Sequence, residues 1–289
     1  MKILFISQGN LPEYQCDSLF HGLRLLFGDD IVDVNKISYM YKSFPEEAKK
    51  KLYGRGFTLY GLLEDISIDR TNIESKIIKK YFDLIIYGSI QRCQDYLPLV
   101  LNIYSPDKIF FINGEDQPTN LNYLLTRGKY FKRELYQENR YLFPIHFAIP
   151  EEKIIKNIDN LEKINFFAPC NPTDKTTYVY DTEKAYYQQY QESFFGITMK
   201  KAGWDCLRHY EISDQGCAPY FLDIRELPYL TMHRFPRYEV LKLMQIADHY
   251  LETESLDLDN YLTSFESLLN YTKKYLTTKS LAQYLVEFI

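Results

Sequence analysis

The feature that most constrains the fold of this chain is a recurrence of short, uninterrupted apolar runs separated by stretches with helical spacing. The runs are "KILFIS" at residues 2–7, "DIVDV" at 30–34, "FDLIIYGSI" at 82–90 and "DKIFFING" at 107–114. Between the first two, Leu19, Leu23, Leu26 and Phe27 fall on one face of a helix. A strand buried on both faces has no polar alternation to show, and parallel strands joined by helices are buried in this way. The first half therefore predicts a doubly wound parallel sheet, completed by runs around "KYFKREL" and "YLFPIHFAI" near Ile149.

A polar, helix-prone segment, "PEEKIIKNIDNLEK" at 150–163, follows and marks a domain junction, because the pattern then restarts with "INFFAP" at 164–169. The second half predicts a helix near 181–192, a strand at 194–199, a helix over about 206–215 and a strand at 218–223. From Arg237 to Ile289 the spacing is helical, with Leu241, Met244, Ile246 and Ala247 first and Leu262, Phe265, Leu268 and Leu269 later. The expected organisation is α/β, with a Rossmann-like domain over 1–150 and a second over 151–289 that carries the terminal helices. A chain of 289 residues with 46% apolar and 25% charged residues has material for two such cores.

The remaining composition removes several function classes. A formal charge of −5 gives no global positive field to gather a polyanion, which disfavours nucleic acid as the default partner. The five cysteines lack CxxC spacing and read as reduced thiols of a cytoplasmic protein, with no metal site implied. The opening "MKILFISQGN" is too short for a signal sequence or a membrane span. There is no HExxH, GxSxG, GxxxxGK[ST] or DxD arrangement, and no GxGxxG after the first strand.

Ligands of open α/β sheets bind outside the carboxyl ends of the strands, so residues just after strands carry the information. In "GWDCLRHYEISDQGCAPYFLDI", residues 203–224, Asp205 reads as an N-cap and Gly216 as the residue that ends the helix. Free amides and the positive end of that helix would suit a pyrophosphate, assisted by Lys200, Lys201 or Arg208. Glu211 lies about 8 Å further along at about 1.5 Å per residue, where a carboxylate could accept from ribose hydroxyls. A solvated helix face, with Arg208 and Glu211 as an i,i+3 pair, accounts for the same residues.

The run "RHYEISDQGCAP" resembles the sugar-nucleotide signature of GT-B glycosyltransferases, with the match at Glu211, Gly216 and Pro219, the proline one residue later than the commonest spacing. Arg208 resembles the arginine that precedes the glutamate in the spore-maturation CgeB-like branch, close to the family 1 glycosyltransferase group. The resemblance is strongest over residues 190–225, and Gly203 stands where many members carry a further glutamate. It implies two Rossmann-like domains with a terminal helix crossing back, Glu211 on the donor ribose, and Arg208 with Lys201 on the diphosphate. The loop "APCNPTDKTTY" would bring Asn171, Thr173 and Lys175 to the donor rim, and "QGNLPEYQCDSLFHGL" resembles the acceptor loop, with Gly9 and His21.

In the first half, Glu115 and Asp116 of "INGEDQPTN" follow a strand, where a carboxylate could deprotonate or orient an acceptor hydroxyl. The same letters also describe a turn. Lys132 and Arg133 could face the diphosphate or decorate an edge strand. Asp17 and His21, four apart, could form an acid and base pair, or cap and pack a helix. Together these readings lead to the expectation of a metal-independent, cytoplasmic glycosyltransferase that uses a nucleotide-diphosphate sugar and a glycan or other hydroxyl acceptor, with no separate cofactor. Two alternatives stand beside it: a noncatalytic paired-Rossmann binding or assembly protein, and a transferase that modifies DNA bases through a basic cleft around Lys129, Lys132 and Arg133.

Overall fold

In the computed structural model, which describes residues 1–289, the apolar runs become strands of two parallel sheets. The chain divides into two units, one of Met1–Ala148, Pro228–His233 and Thr278–Ile289, the other of Ile149–Leu227 and Arg234–Thr277. No helix is long and apolar enough to cross a membrane.

The first unit holds β1 (Ile3–Ile6), β2 (Ile31–Asp33), β3 (Leu84–Tyr87), β4 (Ile109–Asn113), β5 (Lys129–Lys132) and β6 (Leu142–Pro144). They form a six-stranded sheet in the order β2-β1-β3-β4-β5-β6, with every adjacent pair parallel. Ile3 pairs with Leu84 and Ile6 with Tyr87, and all four residues of β1 and of β3 are buried, which is why their sequences show no alternation. Helix α1 (Tyr14–Phe27) covers one face and packs against α9 (Thr278–Val286). The two approach closely because Gly22 has no side chain: a Cβ there would lie 1.8 Å from the Thr278 carbonyl oxygen. Shorter helices α2 (Glu46–Lys49), α3 (Ile73–Ile78) and α4 (Leu97–Ile103) complete the unit.

The second unit holds β7 (Asn165–Phe167), β8 (Ser193–Thr198) and β9 (Ala218–Phe221), parallel and in sequential order. Helices α5 (Glu183–Gln191) and α6 (Leu207–Asp214) connect them, and α7 (Arg237–Thr253) and α8 (Leu258–Tyr275) follow. Phe166 stacks on Tyr250 of α7 at 3.8 Å between centroids, and Tyr261 of α8 meets Phe195 at 5.4 Å. The buried stripe of α7 is Val240, Leu243, Ile246 and Ala247, which shifts the expected stripe away from Leu241 and Met244. Two Rossmann-like α/β units and a helical C-terminal segment are thus the architecture of the chain.

One expected element is absent. Residues 150–163 form only a single 3-10 turn, Glu151–Lys153, rather than a helix. The Ile155 amide donates to the Asp214 carbonyl at 2.9 Å, and a Cβ on Gly216 would meet Leu161 and Ile155 side chains. These apolar residues wrap the end of α6, and packing there overrides the local helical spacing.

Candidate functional site

The strand order of the first sheet reverses between β1 and β3, which makes the loops after these strands a switch-point crevice. Ser7, Gly9, Glu13, Tyr39, Ser89 and Arg92 are among the residues that line it. Gly9 turns the chain out of β1 with φ +75°. Glu13, a residue the sequence reading passed over, is the carboxylate in this wall. Its two oxygens accept from the amides of Gln15 at 3.0 Å and Cys16 at 2.9 Å, so it caps α1. Burial raises its proton affinity, and the Arg92 charge opposes the rise. A Pro-Glu pair before a helix is a weak sequence signal, because glutamate is not a favoured N-cap residue.

Asp17 does not line the crevice. Its carboxylate accepts from Tyr39 at 3.1 Å, Tyr60 at 3.0 Å and the Glu13 amide at 2.9 Å, and it is 1% exposed. Burial and the nearby Glu13 raise its pKa well above the usual carboxylate range. His21 is fully buried and pairs through Nδ1 with Thr278 Oγ1 at 2.8 Å, so the pairing of Asp17 with His21 that their spacing allowed gives way to two separate buried contacts.

Glu115 and Asp116 do sit beyond the end of β4, and both are engaged by arginines. Arg92 Nε donates to Glu115 at 2.6 Å, and Arg133 pairs with Asp116. Lys132 and Arg133 face inward, which overturns the expectation that they contact a diphosphate. Lys132 is fully buried, and its ammonium donates to Asn113 Oδ1 at 3.1 Å and to the carbonyls of Glu115 at 3.0 Å and Gln117 at 2.5 Å. It clamps the loop that carries Glu115 and Asp116. Burial, with Arg133 adding a like charge, lowers its pKa from 10.5 to about 8. Arg133 Nε donates to the Gly114 carbonyl at 2.8 Å, and Lys129 donates to the Phe288 carbonyl. The basic groove expected around these three residues is not formed at the surface.

In the second unit, Lys201, Arg208 and Glu211 are the donor candidates with contacts near the start of α6. Helix α6 runs from Leu207, and its N-cap residue Cys206 makes no side-chain hydrogen bond to the first turn, although the His209 amide donates to the Cys206 carbonyl at 3.1 Å. Asp205, expected to cap it, instead accepts from the Tyr210 hydroxyl at 2.8 Å. The loop before α6 is pinned by His209, whose Nε2 donates to the Trp204 carbonyl at 2.9 Å and whose Nδ1 therefore accepts from Thr198 at 2.8 Å. Burial holds the His209 imidazole neutral and lowers its pKa to about 3.

Around this helix start, Arg208 Nη1 donates to the Tyr178 hydroxyl at 2.6 Å, and Lys201 Nζ donates to the Pro172 carbonyl at 2.8 Å. One turn after Arg208, Glu211 accepts from Tyr186 at 2.8 Å and is 7% exposed. The solvated-face account of Glu211 therefore does not describe it. Lys200 is directed elsewhere: its amide binds the Asp223 carboxylate at 3.1 Å and its ammonium lies 4.8 Å from the Trp204 ring. Lys175 lies in a 3-10 turn, Lys175–Thr177, of the loop after β7. Gly216 ends α6 with φ +81°. No cluster of three or more His, Cys, Asp or Glu side chains is arranged to hold a metal ion, and no disulfide joins the cysteines.

No protein-family model matches the chain, and no curated protein matches it. Among solved structures, an alpha-glucosyltransferase in complex with UDP and a 13-mer DNA containing a central A:G mismatch is similar, with 9% identity and a TM-score of 0.46 over 99% of this chain and 98% of that one. A second, an alpha-glucosyltransferase in complex with UDP and a 13-mer DNA containing a HMU base, gives 9% identity and a TM-score of 0.49 over 100% of this chain and 99% of that one. At these values the likeness carries no argument about activity.

Proposed function

We propose that the chain is a glycosyltransferase that moves a sugar from a nucleotide-diphosphate donor, bound by the second unit, to an acceptor hydroxyl. The observation that carries the reading is the start of α6. Its N-cap residue, Cys206, offers no side-chain cap, Lys201 and Arg208 both approach the Tyr178 ring, and Glu211 follows one turn after Arg208. An uncapped helix start with two cations is a site for a diphosphate, since the amides and the helix dipole favour negative charge there. A carboxylate a turn further along matches the reach from a diphosphate to ribose hydroxyls.

The acceptor is assigned to the switch-point crevice of the first unit, where Glu13 supplies a carboxylate and Ser7 and Ser89 supply hydroxyls. Glu115, on the clamped loop, pairs with Arg92 of its lining. In this scheme Lys201, Arg208 and the helix amides balance the charge of the departing nucleotide, and the gain in rate comes from positioning and from that electrostatic stabilisation.

Calorimetric titration and thermal shift with UDP, GDP, ADP and CMP test the reading. A nucleotide at a hundred times its dissociation constant should stabilise the protein by about 2.7 kcal/mol. Arg208→Ala and Glu211→Ala should each weaken binding while leaving the far-ultraviolet dichroism unchanged. If no nucleotide shifts the wild-type protein, the donor assignment is wrong.

A further inference from the structure

The two cations of the donor site are already engaged by their own chain. Besides the hydrogen bonds to Pro172 and Tyr178, the Arg208 guanidinium lies 4.6 Å from the Tyr178 ring centroid and the Lys201 ammonium 5.9 Å from it. Tyr180, two residues on, packs 6.2 Å from the ring of Tyr186, whose hydroxyl is the donor to Glu211. One short segment, residues 171–180 between β7 and α5, therefore touches every side chain of the donor site or its direct partner.

That segment is held largely by its own turns. Asn171 Oδ1 accepts from the amide and hydroxyl of Thr173, and Asp174 Oδ1 accepts from those of Thr176. Val179, next to Tyr178, is 67% exposed, and the apolar hold of the segment lies at its two ends, where Pro172 is buried and Tyr180 packs on the cluster of Ala168, Tyr190 and Ile212. Beneath it, Arg208 Nε is buried and has no hydrogen-bond partner. A guanidinium with one donor satisfied by a neutral hydroxyl and another satisfied by nothing is poorly matched to what covers it. Phosphate oxygens accept from guanidinium more strongly than a phenol does, and they can engage two donors at once.

We propose that residues 171–180 form a strap that closes the nucleotide site of the free protein, with the Tyr178 hydroxyl and the Pro172 carbonyl standing where diphosphate oxygens bind. The inference rests on the donor reading above and adds a step to it. The nucleotide enters by exchanging its oxygens for these two, the strap lifts, and Glu211 becomes accessible to the ribose. Tyr178 is then a competitor for Arg208 rather than a ligand of the nucleotide.

The test is Tyr178→Phe, which keeps the ring over both cations and removes the competing oxygen. Loss of one competing hydrogen bond should tighten the binding of UDP, or of whichever of GDP, ADP and CMP binds best, by about three- to tenfold in calorimetric titration. Hydrogen exchange of residues 171–180 should rise in the wild-type protein on adding that nucleotide, and in Arg208→Ala without it. Unchanged or weaker affinity in Tyr178→Phe, with wild-type binding that Arg208→Ala abolishes, overturns the strap and leaves the donor site standing. Unchanged exchange in Arg208→Ala also overturns it. Absence of nucleotide binding to the wild-type protein overturns the donor reading and the strap together.

Discussion

Replacing Lys132 by methionine should change how stability depends on pH, and the structure gives the size and the sign. The Lys132 ammonium is fully buried and donates to three oxygens, and its pKa falls from 10.5 to about 8, chiefly through burial. The unfolded chain keeps the proton up to about 10.5, the folded one releases it near 8, and between those values the unfolded state binds more protons. Stability therefore rises with pH across that window. At about 1.4 kcal/mol per tenfold change in proton affinity, the full effect is of order 3 kcal/mol.

Lys132→Met lacks this gain. Near pH 7 it loses the three hydrogen bonds, a cost of about 1 kcal/mol each, but it is also relieved of a buried charge, so the two effects offset substantially. By pH 10 the relief has vanished and the loss remains. The stability of the wild type minus that of Lys132→Met should accordingly grow by about 2–3 kcal/mol between pH 7 and pH 10, read from urea unfolding followed by circular dichroism. Lys163, which burial also lowers to about 8, is present in both proteins and cancels in the difference. A difference that is flat with pH, or that shrinks, would refute the reading of Lys132 as a charged clamp.

Further outcomes follow from three particular contacts. Glu13→Ala removes the carboxylate that caps α1 and should destabilise the protein by about 1–2 kcal/mol in the same unfolding assay; no loss would show that the cap is idle. His209 should remain neutral and protonated on Nε2 at pH 5 in nitrogen-detected NMR, because its folded pKa lies near 3; a midpoint close to 6.5 would contradict the buried relay from Thr198 to Trp204. Since the unfolded chain takes up that proton first, His209 should make stability fall as pH drops from about 6.5 towards 3. Gly22→Ala places a methyl group on the Thr278 carbonyl and should cost at least about 2 kcal/mol; a melting temperature unchanged from wild type would mean that α1 and α9 part easily.

Much of the fold was legible because strands buried on both faces must be written as continuous apolar runs, and β1, β3 and β4 are such strands. The segment at 150–163 was not, because its isoleucines answer to Gly216 and Asp214, partners distant in sequence. Helix spacing put Arg208 and Glu211 together on one helix after a strand, and both lie on α6, but spacing fits a solvated face equally well and the donor roles came from the resemblance. Asp17 and Lys132 misled for one physical reason. A charged residue in the first turn of a helix, like Asp17, or at a strand end, like Lys132, reads the same whether it meets solvent or a ring of internal partners, and here Tyr39 and Tyr60, or three loop oxygens, turn it inward. Glu13 was passed over because its role as a cap depends on helix amides rather than on its own type.

The packing of α9 on α1 has a consequence for synthesis. The six strands of the first sheet are all made before Ile149, yet the helix that seals α1 begins at Thr278, after every strand of the second sheet. On the ribosome, the face of α1 around Gly22 and His21 must therefore wait, uncovered, while the other unit emerges. Leu19 and Leu23, buried in the finished fold, belong to the helix left waiting, and apolar surface held open in this way is what makes unfinished chains prone to aggregate.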